Sequence, residues 1–199
     1  MYLRLILSAL AGYLLGSLNS SLIVGRFYRV DVRQHGSGNA GTTNTLRTLG
    51  KKAALFVLLG DILKGVLSYI GGYLICGDHF GGMLGGTAAV IGHVWPVFFG
   101  FRGGKGVLTS FAVLLMIDWP VALGLLGVFI IVVAVSRYVS LGSIVAAALF
   151  PVAAVLLKRG TEIVIFSAII AVLLIAKHHT NIKRLISGTE SKFSFKKKK

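Results

Sequence analysis

Between residues 3 and 176 the chain is a series of long apolar runs separated by polar segments, the longest at 26–52, a pattern that a soluble core of this size cannot absorb. Of its 199 residues 55% are hydrophobic and 14% charged, more apolar sequence than one water-soluble interior buries. A bilayer accommodates it. Crossing the hydrocarbon layer as a helix takes roughly 20 residues, and a shorter helix is tolerated where a bundle shields its ends. Seven segments qualify: 3–24, 53–74, 81–99, 107–117, 119–135, 141–157 and 163–176. The expected fold is therefore an all-α integral membrane protein with seven transmembrane helices, some short, in one domain over 1–199. Residues 1–24 lack a basic leader and a small-residue cleavage site before Arg26, so they are expected to stay as the first span.

Charge sets the expected orientation. Lys and Arg total 21 against 6 Asp and Glu, a formal charge of +15, which in so apolar a chain points to anionic lipid or phosphorylated substrates rather than nucleic acid. The run 107–135 is interrupted only at Asp118-Trp119-Pro120. If it breaks there, the segments 26–52, 102–105, 136–140 and everything from 177 fall on one side of the membrane. That side then holds 17 of the 21 basic residues, which identifies it as cytoplasmic and puts the N-terminus and Lys158-Arg159 outside. An unbroken span would export Lys196 to Lys199. The basic tail 191–199 is expected on anionic headgroups. A single cysteine, Cys76, excludes an internal disulfide and a cysteine-rich metal site.

Three polar segments share the basic side. The first is His35-Gly36-Ser37-Gly38-Asn39-Ala40-Gly41-Thr42-Thr43-Asn44-Thr45-Leu46-Arg47, too polar to span and read as a loop running into a helix. Gly36, Gly38 and Gly41 permit positive φ and close approach to a ligand, and Thr42 or Thr43 is expected to cap the helix, whose first amides face an anion. Asn44, Arg47 and Lys51 follow at helical spacing on one stripe. A capped amphipathic helix lying on headgroups is the plainer alternative.

The second segment joins His93-Val94-Trp95-Pro96-Val97-Phe98-Phe99 to Gly103-Gly104-Lys105-Gly106-Val107. Three glycines would expose backbone N–H groups around one lysine, a phosphate-binding composition. It is not a nucleotide-hydrolysing P-loop, because Phe99 and Gly106 stand where that motif needs Gly and Ser or Thr. The alternative is a tight turn with a snorkelling lysine. The third segment, Lys177-His178-His179-Thr180-Asn181-Ile182-Lys183-Arg184-Leu185, places Lys177, Asn181 and Arg184 on one helical stripe with His178 at its edge. His178 and His179 point about a hundred degrees apart on a helix, so no shared metal is expected. A basic stop-transfer end is the alternative there. Asp61 and Lys64 are expected to neutralise each other or brace a loop, Ser143 to bind a ligand or cap its helix, and Asp78 and His79 to be ordinary loop residues on the outer side.

Taken together, Gly36 to Asn44, Gly103 to Val107 and Lys177 to Leu185 resemble the three signatures of the bacterial acyl-phosphate:glycerol-3-phosphate acyltransferase family (PlsY), in order and over nearly the whole chain. The resemblance implies a seven-helix membrane enzyme with these motifs on the cytoplasmic face of the plasma membrane. It would transfer a fatty acyl group from acyl phosphate to the sn-1 hydroxyl of glycerol 3-phosphate, giving lysophosphatidic acid and inorganic phosphate; no cofactor is expected, and a monomer is expected to suffice. Residue by residue, it implies catalytic roles for Ser37, Lys105, His178 and Asn181. Substrate contacts would come from Asn39, Thr43, Asn44, Arg47, Gly103, Gly104, Gly106 and Ser143, with Asn39 and Asn44 shaping the loop or donating to the acyl carbonyl.

The residues agree with this on independent grounds. No histidine has an aspartate five positions later, the base and orienter of other membrane glycerolipid acyltransferases, and the motif loops hold no acid for a Ser-His-Asp relay apart from Glu190, which is expected to be peripheral. An acyl phosphate is already an activated mixed anhydride, so positioning and charge stabilisation suffice. The expected chemistry is direct attack by the glycerol hydroxyl, with the donor phosphate or His178 taking the proton. Trp95, Phe98, Phe99 and Phe101 would admit the acyl chain from the inner leaflet. A transporter of organic phosphates would instead place polar groups at the bilayer midplane. A membrane scaffold would leave the glycine loops unexplained.

Overall fold

The structure, a computed structural model, describes residues 1–193. The lysine run at 196–199 lies outside the described residues. Ten α-helices follow one another: α1 (Tyr2–Gly16), α2 (Ser20–Phe27), α3 (Thr42–Thr48), α4 (Lys51–Cys76), α5 (His79–Val94), α6 (Val107–Ile117), α7 (Trp119–Ser136), α8 (Val139–Leu156), α9 (Thr161–Lys177) and α10 (His179–Ile186). Among the described residues five stretches are long and apolar enough to cross a membrane: Tyr2–Phe27, Lys51–Cys76, His79–Phe99, Trp119–Ser136 and Val139–Leu156. A sixth arises if α9 and α10, bent by 58°, form one broken span. The 11-residue α6 is apolar, but at 1.5 Å per residue it reaches only about 16 Å.

Local chemistry explains where the runs stop. The first expected span is broken after Gly16, because the Asn19 side chain accepts from Leu22 N–H and starts a new helix. The third ends as an α-helix at Val94, ahead of Pro96, whose ring restricts the residue before it to extended backbone. The chain breaks at Asp118 as its sequence indicates. Asp118 accepts from Val121 N–H, and Pro120, which has no N–H, occupies the first turn of α7. His79 is not a loop residue but opens α5, whereas Asp78 lies in the turn before it. Asp78 caps α5 through Gly81 N–H at 2.7 Å, and His79 Nδ1 lies 2.7 Å from the Tyr69 hydroxyl.

The chain forms two compact units, Met1–Ile117 and Asp118–Lys199. In the first, α1 and α5 run parallel and in backbone contact: Ser8 donates to the Gly81 carbonyl at 2.8 Å, and a Cβ on Gly12 or Gly16 would collide with the backbone of Gly85 or Ala89. Helix α4 runs antiparallel to α5, with Gly72 against Gly81 and Gly82 against the Tyr69 ring. Small residues at four-residue spacing let these backbones approach closely, which is how apolar helices gain packing energy in lipid. The large side chains point the other way. Leu3, Leu7, Leu10 and Leu14 on α1, and Leu55, Leu59, Leu63, Leu67 and Leu74 on α4, are exposed in helical stripes that would aggregate in water and suit lipid.

In the second unit α7, α8 and α9 are joined by short turns, and Phe150 meets Phe166 edge-on at 5.8 Å between ring centres. Its two ends are polar in different ways. At one, Arg159 Nε lies 2.7 Å from Asp118 Oδ2. At the other, Ser140, α10 and Glu190 come together.

Candidate active site

In the first unit the two glycine-rich segments meet at the end of the bundle where α1 and α5 stop. The first is shaped by Asn44. Its Oδ1 accepts from Ser37 N–H at 2.8 Å, while its Nδ2 donates to the carbonyls of Val32 at 2.8 Å and His35 at 3.0 Å. Asn44 is 1% exposed, so of the two expected roles it fills loop shaping, and its amide is committed to the backbone. Gly36 (φ 60°) and Gly38 (φ 71°) take the left-handed conformation that the loop needs. Gly41 does not: it is extended, and it serves as the N-cap of α3. Neither Thr42 nor Thr43 caps that helix, and Thr42 Oγ1 is buried without a hydrogen bond among the described residues. The loop leaves Ser37 exposed, Asn39 and Thr43 half-buried and Arg47 exposed on α3. Lys51 is not on their stripe, because α3 ends at Thr48 and Gly50 (φ 88°) turns the chain into α4.

The second segment is folded back on the end of α5. Gly103 N–H donates to the Val94 carbonyl at 3.2 Å and Gly104 N–H to the His93 carbonyl at 3.1 Å. These two amides therefore finish a helix C-terminus, contrary to the expectation that they cradle a phosphate. The glycines are required by contact instead. A Cβ on Gly103 would collide with the His93 carbonyl, and one on Gly104 with His93 Nε2 and the Ala40 carbonyl of the first loop. Gly106 (φ 82°) then turns the chain into α6, with Lys105 half-buried beside it.

Arg33 ties the two loops together. It chelates Asp31 through Nε at 3.0 Å and Nη2 at 2.8 Å, and its Nη1 donates to the Phe99 carbonyl at 3.1 Å. The Arg33 side-chain hydrogen bond holds the Asp31 carboxyl below its ordinary range despite some burial. Beside this pair opens a cavity of about 330 Å³ lined by Leu22, Arg26, Arg29, Val30 and Phe99, with the Arg26 guanidinium 4.9 Å from the centre of the Phe99 ring.

Beneath both loops lies a cluster built around Asp61 and Lys64, expected from the sequence to neutralise each other or brace a loop. Lys64 Nζ is 2.9 Å from Asp61 Oδ1, 2.8 Å from His93 Nδ1 and 3.3 Å from the Leu18 carbonyl, and Ser20 Oγ donates to Asp61 at 2.9 Å. Asp61, Lys64 and His93 are 2%, 5% and 3% exposed. Along α4, Asp61 and Lys64 stand about 15 and about 20 Å from Lys51, so not every polar group of the chain lies at its surface.

In the second unit the third segment is broken at His178, and the expected stripe from Lys177 through Asn181 to Arg184 is not continuous. His178 is 2% exposed, and its Nδ1 donates to the Leu174 carbonyl at 2.7 Å, which leaves the lone pair of the neutral ring on Nε2. Glu190, expected to be peripheral, is the hub. Its carboxylate accepts from Ser140 Oγ at 2.7 Å, Asn181 Nδ2 at 2.6 Å and Arg184 Nε at 2.6 Å. Burial pushes the Glu190 carboxyl up, but the hydrogen bonds from Ser140, Arg184 and Asn181 outweigh it and hold the group below its usual range. The sequence signal was there: Glu190 is the one acidic residue in a basic tail. Ser143 neither caps α8 nor reaches this hub, since its Oγ donates back to the Val139 carbonyl at 3.0 Å.

The chain matches the family described as glycerol-3-phosphate acyltransferase over residues 6–188. It is 44% identical over 192 residues to the glycerol-3-phosphate acyltransferase of Thermoanaerobacter pseudethanolicus, covering 96% of each chain. To that of Trichlorobacter lovleyi it is 47% identical over 183 residues, covering 91% of this chain and 93% of the relative. Among solved structures it resembles PlsY (YgiH), an integral membrane glycerol 3-phosphate acyltransferase, in its glycerol 3-phosphate form, with a TM-score of 0.90, 34% identity and 96% of each chain covered. The lysophosphatidic acid form of that protein gives a TM-score of 0.86 at 34% identity, over 96% of this chain and 95% of that one. With nearly its full length matched at such identity, this chain belongs to the glycerol-3-phosphate acyltransferase family.

Proposed function

We propose that this protein transfers a fatty acyl group from acyl phosphate to the sn-1 hydroxyl of glycerol 3-phosphate in one step, releasing lysophosphatidic acid and inorganic phosphate. The observation that carries the reading is how the loops are built. Buried polar groups are spent on fixing the backbone of both glycine segments, while Ser37 and Arg47 stay exposed and Lys105 half-buried. A relative in this family has been seen with glycerol 3-phosphate and with lysophosphatidic acid, which supports the acceptor and the product.

In this reading Ser37, Arg47, Lys105, His178 and Asn181 hold the substrate phosphates, as the family resemblance implies, and Asn39, Thr43 and Ser143 are further substrate contacts. The glycerol oxygen attacks the acyl carbonyl carbon, the bond from that carbon to the phosphate oxygen breaks, and the proton passes to the departing phosphate or to His178 Nε2. No acyl-enzyme forms. The fold crosses the plasma membrane of a bacterium seven times as a monomer, α6 and the bent pair α9–α10 included, with the motifs in the cytoplasm and the N-terminus outside.

Purified protein given acyl phosphate and labelled glycerol 3-phosphate should form lysophosphatidate and phosphate in equal amounts, and should form none with an acyl thioester. Lys105→Ala and Asn181→Ala should abolish turnover in protein that still folds. Near-normal activity in either would remove its assignment, and a covalent acyl-protein trapped during turnover would remove the one-step mechanism.

A further inference from the structure

The cluster of Asp61, Lys64, His93 and Ser20 has no part in the chemistry proposed above, yet it is the most costly feature of the first unit. A carboxylate and an ammonium within an apolar helix bundle lose several kcal/mol of hydration each, and replacing such a pair by hydrophobic residues of similar volume is often neutral or stabilising. Stability alone therefore does not account for it. What charged groups supply that aliphatic ones do not is direction. The Lys64 ammonium has three protons, and three acceptors surround it: Asp61 Oδ1, His93 Nδ1 and the Leu18 carbonyl. With Lys64 donating, Nδ1 accepts and the imidazole carries its proton on Nε2, with Asp61 Oδ1 3.5 Å from the same nitrogen. The ring is thereby fixed in orientation and tautomer.

Every arm of the cluster ends on a segment that shapes the site. The Leu18 carbonyl lies in the break between α1 and α2, and Ser20, bonded to Asp61, opens α2. His93 touches the second loop twice: its carbonyl accepts from Gly104 N–H at 3.1 Å, and its Nε2 lies against the position where a Cβ on Gly104 would stand. Gly104 precedes Lys105 directly and is wedged between His93 and the Ala40 carbonyl of the first loop. A rotation of the imidazole would change the distance between the two loops.

We propose that Asp61, Lys64 and His93 are positioning residues, which lock the His93 ring and the end of α5 so that the Gly103–Gly106 turn presents Lys105 in register with Ser37. This rests on the reading of Lys105 as a substrate-contacting residue. A displacement of about 1 Å at a reacting group costs up to roughly 100-fold in rate, so small shifts of this loop matter.

Two variants test it. Asp61→Asn combined with Lys64→Met removes both charges and leaves no unpaired ion. His93→Asn keeps an acceptor near the place of Nδ1 for Lys64 and deletes the Nε2 edge that meets Gly104. Both should fold, judged by size-exclusion profile and melting, yet raise the KM for glycerol 3-phosphate or lower kcat by roughly 10- to 100-fold. His93→Gln, whose amide reaches nearer the place of Nε2, should recover part of the loss seen with His93→Asn. The readout independent of turnover is protection of Lys105 from an amine-reactive reagent by glycerol 3-phosphate, followed by mass spectrometry. In the two variants, protection should require at least about tenfold more ligand. Kinetics and protection both within about twofold of the parent would overturn the proposal and leave the cluster a packing feature. If the double variant does not fold, His93→Asn decides alone, since it leaves both charges paired. Full activity of Lys105→Ala would strike the functional reading, whereas unchanged kinetics together with unchanged Lys105 protection in His93→Asn strike only the positioning role.

Discussion

Asn44 offers the sharpest test of how the first loop is held. Replacing it by Ala removes three hydrogen bonds, to Ser37 N–H, the Val32 carbonyl and the His35 carbonyl, from a side chain that is 1% exposed. At about 1 kcal/mol net for each bond the closed loop loses about 3 kcal/mol, and more if the Val32 carbonyl stays buried without a partner. Residues 34–38 are exposed, so the loop can open by itself while the bundle below stays folded. At 1.4 kcal/mol per factor of ten, the ratio of closed to open loop falls by roughly 100-fold. Amide exchange at Ser37 should accelerate, and kcat/KM for glycerol 3-phosphate should fall, by up to about that factor, with only a small change in melting temperature. Asn44→Asp should be worse than Asn44→Ala despite its matching shape. It keeps the acceptor for Ser37 N–H but sets a carboxylate oxygen against two carbonyl oxygens. The reasoning is refuted if Ser37 exchange in Asn44→Ala stays within about threefold of the parent, or if Asn44→Asp proves the milder change.

Three further outcomes follow from the same geometry. Gly104→Ala places a Cβ against His93 Nε2 and the Ala40 carbonyl, and should cost at least about tenfold in kcat/KM even where the protein folds, measured with both substrates near saturation in turn. Glu190 has a folded-state pKa held below its ordinary 4.5, so its stabilising contribution is complete above about pH 4.5 and is lost as pH falls through the lower folded value. Protection factors over 181–190, corrected for the intrinsic slowing of exchange in acid, should therefore fall below pH 4.5 in the parent, while Glu190→Gln should show lower protection already at neutral pH and little further change on acidification. At the other end of the second unit, Arg159→Met leaves the buried Asp118 carboxylate without its part-exposed guanidinium, and should lower the unfolding free energy by about 1 to 2 kcal/mol in a denaturant titration without changing kcat/KM.

Much of the fold was legible because lipid imposes a simple rule. Apolar runs near 20 residues and the break at Asp118-Trp119-Pro120 follow from hydropathy, from an aspartate that caps and from a proline that lacks a donor, all of them local properties. The positive φ of Gly36 and Gly38 was also a local matter. The division at Asn19 was legible in principle, as an Asn before a helical run, but was masked by the hydropathy on both sides. The spacing of Gly12 with Gly16, and of Gly81 with Gly85, likewise carried a helix-packing signal without naming its partner.

What the chain alone determined, then, is which residues carry charge, which turns need glycine and where a helix must begin or stop, since each depends on neighbours a few positions away. Which hydrogen bonds those groups make was settled only in three dimensions. Gly103 and Gly104 give their amides to α5, Asn44 gives its own to the loop carbonyls, His93 turns an ion pair into a cluster, and Glu190 gathers Ser140, Asn181 and Arg184. Polar groups shielded from water must find partners wherever the fold brings them, and a partner 50 or 73 residues away in the chain leaves no trace in local spacing.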